Sequence, residues 1–321
     1  MQRGKGGTWH TPRWTRRAPT GLSWRERTVI GVPYLWLLAF FLLPFLIVLK
    51  ISVSEMETVS FKDLITWSDG VLHLQIRLGN YLFITQDDLY FKTYLASLKY
   101  AGITTVLCLM LGYPFAWFMA RASKALQPGL LMMVMLPFWT SFLLRVYAWK
   151  GLLTEDGWVW DVLQAVHADA LLLALNLIPG PGQYMNTPFS LVLGMVYTYL
   201  PFMILPLYAN LSKMDMRLLE AASDLGATPW VAFWQVTVPM SKAGIVAGSM
   251  LVFIPCVGEF VIPELLGGPQ TLMIGRVLWD EFFANNDWPM ASSVAVVMIL
   301  LILVPLALFN KAQSDAQEAR R

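Results

Sequence analysis

The sequence predicts an all-α polytopic membrane protein with six transmembrane helices, because its charge content is low and its apolar runs are long. Of the 321 residues, 57% are hydrophobic and only 14% are charged, whereas soluble domains average about 25% charged residues. A helix needs roughly 20 apolar residues to cross a bilayer. Six runs of about that length occur, at 28–49, 93–120, 130–153, 188–211, 243–262 and 289–309.

These runs divide the chain into five segments. We expect a basic cytoplasmic tail at 1–27, a first transmembrane helix at 28–50, a periplasmic loop at 51–92, a core of five helices at 93–309 and a cytoplasmic tail at 310–321. The first apolar run has over 20 residues, which is too long for the apolar region of a signal peptide. We therefore expect the first helix to be retained.

The basic residues predict the orientation of the chain in the membrane. Fifteen Lys and Arg residues lie in the two tails and in the loops at 121–129 and 212–242. Only four lie in the loops at 51–92, 154–187 and 263–288. Because short loops rich in Lys and Arg stay in the cytoplasm, both termini and the 212–242 loop are predicted to be cytoplasmic.

The 212–242 loop contains a polar, helix-forming segment with regular spacing. Its marked positions are Glu220, Ala221, Ala222, Gly226, Val236, Val238 and Pro239. The glutamate and the two alanines favour a helix, and the glycine permits a turn that a side chain would obstruct. Thr228 and Pro229 are typical of an N-cap followed by proline at the first helical position. The segment predicts a helix, a glycine corner and a second short helix, a shape that fits a cleft on a partner protein.

This spacing is similar to the EAA loop of bacterial ABC-importer permeases, in which Ile and Leu are usual where Val236 and Val238 stand here. The resemblance implies a type I ABC importer permease fold, in which the loop inserts into a groove on a cytoplasmic ATPase. The alternative is an ordinary helical hairpin between two spans.

Enzyme chemistry has no candidate residues in this sequence. It contains no G-x4-G-K-[ST] loop, no H-E-x-x-H and no G-x-S-x-G, which are the motifs of phosphate binding, zinc hydrolysis and serine hydrolysis. Cys108 and Cys256 both lie in apolar runs and suggest neither a disulfide nor a metal site. We therefore expect a transport subunit without catalytic residues, metal or bound cofactor, with ATP and magnesium held by a partner ATPase, and no nucleic-acid partner.

Two opposite charges lie deep in predicted spans. At 1.5 Å per residue, Glu259 lies about 24 Å and Arg145 about 22 Å from the cytoplasmic ends of their runs. A single charge at such a depth costs at least roughly 2.5–3.5 kcal/mol. Glu259 and Arg145 either form an ion pair that fixes helix packing, or Glu259 faces a hydrated pathway and meets a cation. Both interpretations hold together if a cationic substrate competes with Arg145.

Trp139 and Tyr147 complete the candidate translocation pathway, although aromatic residues near span ends are most often interfacial anchors. The loops predicted to lie outside the cytoplasm are also acidic. They carry fourteen Asp and Glu residues against four basic ones, which would concentrate cations near the membrane. A solvated surface or a surface that matches a basic partner is the alternative.

Two long stretches narrow the resemblance. Residues 136–149 and 258–269, the latter continuing to 273–279, resemble the polyamine importers and the putrescine-transport permeases in particular. The resemblance implies a bacterial inner-membrane location, a second homologous permease subunit, an ATPase dimer and a periplasmic polyamine-binding protein. A spermidine-preferring importer is the nearest alternative, and an ATP-independent cation carrier or channel is a further one.

Overall fold

The computed structural model describes residues 24–56, 65–68, 71–74 and 76–318. Most of the predicted basic tail at 1–27 and the last three residues of the C-terminal tail therefore lie outside the described residues. The chain divides into two compact units, residues 1–48 and 49–321.

The described part of the first unit is helical. It contains α1 (Trp24–Leu37), a π-helical segment (Leu38–Leu42) and the beginning of α2 (Leu43–Ser52). The apolar side chains of this stretch are almost all exposed. A helix whose apolar stretch, Thr28–Ser52, is exposed in this way is suited to lipid.

The second unit contains thirteen further helices in the described residues. These are α3 (Gly79–Gln86), α4 (Asp88–Arg121), α5 (Gln127–Met135), α6 (Phe142–Leu152), α7 (Trp158–Ala165), α8 (Ala168–Ala174), α9 (Pro188–Leu211), α10 (Arg217–Asp224), α11 (Pro229–Ala232), α12 (Val238–Val257), α13 (Val261–Leu265), α14 (Ile274–Trp279) and α15 (Trp288–Glu318). The sequence did not predict the one small sheet that we observe, an antiparallel hairpin of β1 (Ile65–Ser68) and β2 (Val71–Leu74).

Apart from this hairpin, the prediction of an all-α membrane protein is confirmed. Within the described residues, five helices are long and apolar enough to span a membrane, and a sixth span results if α5 and α6 are counted together. The fourth predicted run coincides with α9, whereas the first, second and last helices extend beyond their runs.

The third predicted span is broken rather than continuous. Its two halves are bent by 88°, and a 3₁₀ segment at Leu136–Trp139 lies between them. Pro137 has no backbone N–H and restricts the residue before it. The Thr140 hydroxyl then donates to the Pro137 carbonyl at 2.9 Å, which turns the chain before α6 begins.

The core of the second unit is formed by α4, α9 and α12, which pack closely because glycines face their neighbours. A Cβ atom on Gly112 would lie 3.1 Å from the Met203 side chain, and one on Gly248 would lie 3.1 Å from the Met203 carbonyl oxygen. Small residues of this kind let helix backbones approach each other. Cys108 and Cys256 are buried as free thiols in this core.

A small subdomain between α6 and α9 contains α7 and α8. The Asp169 carboxylate accepts hydrogen bonds from the Tyr184 hydroxyl at 2.6 Å, from Gln164 at 3.0 Å and from the Gly182 N–H at 3.3 Å. The bond from Tyr184, above all, lowers the pKa of Asp169. Burial and the neighbouring carboxylate raise the pKa of Tyr184 to about 12. This network fixes the connection that leads into α9.

The two ends of the second unit are distinguished by what they carry. We refer to the end with α10, which follows the last residue of α9, as the α10 end. The opposite end, with α7 and α8 before the first residue of α9, is the α7 end.

Candidate coupling loop and translocation site

The loop after α9 begins with α10, which carries Glu220, Ala221 and Ala222 on an exposed helix. Gly226 ends this helix with φ of +84°. Its N–H donates to the Ser223 carbonyl at 2.9 Å, and the Ala227 N–H donates to the Ala222 carbonyl at 3.0 Å. This pair of bonds is the Schellman motif, which requires a left-handed residue. A Cβ on Gly226 would have open space around it, so its backbone conformation alone demands glycine.

The helix after this corner begins as the sequence predicts but is longer. The Thr228 hydroxyl accepts a hydrogen bond from the Val231 N–H, with Pro229 at the first helical position. The predicted second helix is not short, however, because α11 passes through a π-helical segment (Phe233–Thr237) directly into α12. One continuous helix of 29 residues therefore runs over Pro229–Val257.

The three remaining marked positions lie where this helix enters the bundle. Val236 and Val238 are half-buried, and Pro239 is exposed near the first turn of α12. Val238 packs against the main core. The Phe233 ring meets the Tyr113 ring edge-on at 5.5 Å, which ties the helix to α4.

Large apolar side chains surround the glycine corner without being buried. Leu225 is 89% exposed and Trp230 is 70% exposed, and Leu218 and Trp234 are also exposed. Exposed apolar residues grouped in this way, beside polar ones, are typical of a surface that a partner covers. The arrangement fits a protein groove better than it fits water.

At the other end of α12, Glu259 lies in the break between two helices, α12 and α13. Pro255 lies in the last turn of α12, which ends at Val257. The helix therefore ends five residues before residue 262, where the fifth span was predicted to end. The buried Glu259 carboxylate accepts a hydrogen bond of 2.5 Å from the Tyr199 hydroxyl. It also accepts the N–H groups of Val261 and Ile262, at 3.1 and 3.4 Å. These bonds start α13 and join it to α9.

Tyr199 shows the depth of this site. It is the twelfth of the 24 residues of α9, or roughly 17 Å from the start of the helix at 1.5 Å per residue. After Glu259 the chain runs along α9 towards the α7 end, as the contacts of Gly194 with Ile262 and Leu266 show. The Ser190 hydroxyl donates to the Leu266 carbonyl at 2.6 Å. Glu259 therefore lies about halfway along α9, at the inner end of a segment that leads to the α7 end.

The interpretation in which Glu259 and Arg145 form an ion pair is wrong, whereas the alternative, in which Glu259 faces a hydrated pathway, stays a prediction. Among the described residues, Arg145 forms no ion pair, and its Nε and Nη1 atoms are buried without a hydrogen-bond partner. The guanidinium instead lies 5.9 Å from the centres of the Phe138 and Phe142 rings. The predicted depth of Arg145 assumed a straight third span. Because the two halves of this span are bent by 88°, α6 runs in a different direction and Arg145 does not lie where that depth would place it.

The other two candidate pathway residues are separate from Glu259. Trp139 lies in the 3₁₀ segment of the broken span and Tyr147 lies on α6, and both side chains are exposed. Neither belongs to the three donors that hold the Glu259 carboxylate. Tyr199 was not among the residues predicted from the sequence, although a tyrosine in the middle of an apolar run indicates that its hydroxyl needs a hydrogen-bond partner.

The fold and the loop define a class of protein: a polytopic helical membrane protein with an exposed helix, α10, between two of its candidate spans. The family model described as "Binding-protein-dependent transport system inner membrane component" matches residues 26–314. The chain belongs to this family of ABC-transporter permeases.

Curated relatives extend over nearly the whole chain. It is 37% identical over 298 residues to the "Spermidine/putrescine transport system permease protein PotB" of Salmonella typhimurium (strain SL1344), covering 91% of this chain and 96% of the relative. The protein of the same description from Escherichia coli (strain K12) is 35% identical over 285 residues, with 89% and 95% covered. The "Inner membrane ABC transporter permease protein YdcU" of Escherichia coli (strain K12) is 36% identical over 222 residues, which cover 68% of this chain and 70% of the relative.

The fold is shared with a solved transporter. A chain of the bacterial alginate ABC transporter, in complex with an alginate pentasaccharide-bound periplasmic protein, matches with a TM-score of 0.58 at 15% identity. The match covers 90% of this chain and 93% of that one. At this identity the likeness supports the type I ABC importer permease fold alone.

Proposed function

We propose that the chain is a permease subunit of an ATP-driven importer that moves a polyamine across the bacterial inner membrane, with putrescine as its principal substrate. The main support for this proposal is the arrangement of helices at the α10 end. A Schellman corner at Gly226 presents an exposed helix, and the next helix continues without interruption into α12.

This construction transmits force. Because Pro229–Val257 is one helix, a displacement of Trp230 by a docked partner moves α12 as a lever. The other end of that lever is the break at Glu259, which is bonded to Tyr199 on α9. A motion at the α10 end is thus coupled to the middle of the membrane.

The partners follow from this arrangement. An ATPase dimer receives α10 and the Gly226 corner, and it binds the ATP and magnesium that this chain does not bind. The excess of Lys and Arg in 212–242 and 121–129 supports a cytoplasmic α10 end. By the same rule, the basic residues of the two tails favour cytoplasmic termini. A second homologous permease completes the membrane part, and a periplasmic binding protein delivers the substrate to the α7 end.

A cationic substrate fits the charges on the α7 side. The Glu259 carboxylate has four lone-pair positions, of which three accept hydrogen bonds, so a negative charge and one acceptor position remain for a cation. The names of the curated relatives at 35–37% identity, which specify spermidine and putrescine, support a polyamine. Arg145, Trp139 and Tyr147 lie beside the bend of the third span and line the same pathway in this proposal.

The mechanism is alternating access. ATP binding closes the ATPase dimer, the α11–α12 helix moves, and the break at Glu259 opens towards the loaded binding protein. Hydrolysis then returns the permease to its inward-facing state. No covalent step takes place in this subunit.

Substrate competition tests the proposal. Cells that express the chain with its companion permease, ATPase and binding protein should accumulate labelled putrescine, and unlabelled spermidine should compete less effectively than unlabelled putrescine. Stronger competition by spermidine would identify a spermidine-preferring importer. Uptake that continues without the ATPase would instead identify an ATP-independent carrier, with Glu259 as its buried acid.

A further inference from the structure

Four aromatic rings form a continuous column at the α7 end of the second unit. Phe260 and Trp279 are stacked with their centroids 4.4 Å apart and their planes 9° apart. Trp279 lies 4.1 Å from Phe283, and Phe283 lies 4.8 Å from Phe282. We call Phe260, Trp279, Phe283 and Phe282 the aromatic column.

Three of the four rings are exposed within the described residues, and Phe260 is half-buried. Trp279 is 43% exposed, Phe282 is 40% exposed and Phe283 is 55% exposed. Ring faces carry partial negative charge and attract cations that come within about 6 Å of the ring centre. Trp279, Phe282 and Phe283 therefore offer exposed ring surface to a cation.

Carboxylates flank the column and decide which charge it prefers. Glu264, Asp280, Glu281 and Asp287 all lie within one short stretch of chain with a single basic residue, Arg276. Arg276 pairs with Glu264 at 2.6 Å and lies 4.0 Å from Asp280. The local excess of negative charge repels anions and raises the local concentration of cations.

The column leads towards the buried carboxylate. Phe260 directly follows Glu259 in the chain, and α14, which carries Trp279, rests on the same backbone. A Cβ on Gly275 would lie 2.4 Å from the Gly258 carbonyl oxygen and 2.6 Å from that of Glu259. Phe282 and Phe283 lie further along, in the π-helical segment after α14 (Asp280–Ala284). The rings therefore extend from beside Glu259 to the surface of the α7 end.

We propose that the aromatic column is a binding site for alkylammonium groups, which holds the polyamine between its delivery at the α7 end and its arrival at Glu259. This inference rests on the proposed function and names the site that performs its first step in the membrane. Ammonium groups bind over the ring faces, methylene groups lie against the rings, and the flanking carboxylates supply the charge complementarity. No bond is made or broken.

A pair of substitutions separates ring chemistry from apolar bulk. Trp279→Leu removes the π face and keeps an apolar side chain, whereas Trp279→Phe keeps an aromatic face. The matched control is Trp36→Leu, because Trp36 is also exposed and is stacked on Phe40 at 4.1 Å, but no Asp or Glu occurs in residues 28–54. Each variant is purified as the complete transporter and is compared at equal amounts of assembled complex.

The measured quantity is the number of putrescine molecules taken up per ATP hydrolysed by the reconstituted transporter with its binding protein. We expect Trp279→Leu to lower this ratio roughly two- to fivefold, the range that one cation–π contact at an exposed site spans. We expect Trp279→Phe to restore most of it and Trp36→Leu to leave it unchanged. Phe283→Leu, at the more exposed end, should lower the ratio in the same direction.

The outcomes are distinct. Equal ratios for Trp279→Leu, Phe283→Leu and the wild type would show that the column only anchors the chain at the membrane interface, and would overturn the inference while the proposed function stands. A fall of equal size in Trp279→Phe would also overturn it, because an aromatic face would then not suffice. If the wild-type complex imports no polyamine, the proposed function fails first and the inference fails with it.

Discussion

Tyr199 donates a hydrogen bond of 2.5 Å to Glu259, and this bond joins the middle of α9 to the break that ends α12. The carboxylate receives two further bonds from backbone N–H groups at the start of α13. The Glu259 side chain, which follows the end of α12, thus holds α9 and the start of α13 together.

The first prediction concerns this bond. Tyr199→Phe leaves Glu259 Oε2 without its donor, and we expect a loss of about 1.5–3 kcal/mol of stability, the range for a hydrogen bond to a charged group. Thermal unfolding of the purified complex measures the loss. Glu259→Gln should be much less harmful when Tyr199 is already Phe, because the two changes remove the same interaction.

Transport by the same variants separates structure from pathway. If Glu259 meets the cationic substrate, Glu259→Gln should reduce polyamine uptake more strongly than Tyr199→Phe does at equal amounts of assembled complex. Equal uptake by the two variants would show that the carboxylate serves only to hold α13.

The second prediction concerns the glycine corner. Gly226→Val forces a β-branched residue into φ of +84°, a conformation that costs roughly 1–3 kcal/mol. We expect α10 to lose its orientation, so that co-purification with the ATPase and ATP-driven uptake both fall at least tenfold while membrane insertion continues. Gly79→Val is the matched control, because a Cβ on Gly79 would also have open space around it but the residue has no positive φ. Gly79 is the first residue of α3 and is not part of the 212–242 loop. Normal uptake by the Gly226 variant would contradict a docking role for this loop.

The third prediction concerns orientation. In a chain in which Cys108 and Cys256 are replaced by alanine, single cysteines at the exposed positions Glu155 and Asn285 should react with an impermeant maleimide on intact cells. A cysteine at Ser223 should react only after the membrane is opened. Labelling of Ser223→Cys from outside would reverse the proposed topology.

The fourth prediction concerns the subdomain at the α7 end. Asp169→Asn removes the charge and one acceptor from the network with Tyr184 and Gln164, so hydrogen exchange in residues 158–187 should increase. Asp161→Asn, on the exposed first turn of α7, is the control and should have little effect. Because the folded subdomain lowers the pKa of Asp169, its stabilisation is present above the ordinary carboxyl pKa. Acidification through the lowered value should abolish it, and exchange that does not depend on Asp169 would argue against the network.

The sequence predicted what depends on local pattern. The length of α9, the Thr228 cap and the turn at Gly226 each follow from residues next to one another, and each is present in the structure. The predictions from the sequence were wrong where contacts between residues far apart in the chain determine the structure. Apolar runs continue past Pro137 and Pro255, so hydropathy gave no sign of the 88° bend or of the early end of α12. Glu259 bonds to Tyr199 rather than to Arg145 because the bend changes the direction of α6. The residue pattern of a single apolar run does not predict such a bend.

The most direct test of the proposed function is uptake into sealed proteoliposomes that contain this chain, its companion permease and the ATPase. The binding protein loaded with labelled putrescine is added on one side and ATP on the other. We expect accumulation against a gradient that requires ATP, the binding protein and the intact Gly226 corner, and that persists when ionophores remove all ion gradients. Accumulation driven by an ion gradient in the absence of ATP would contradict it.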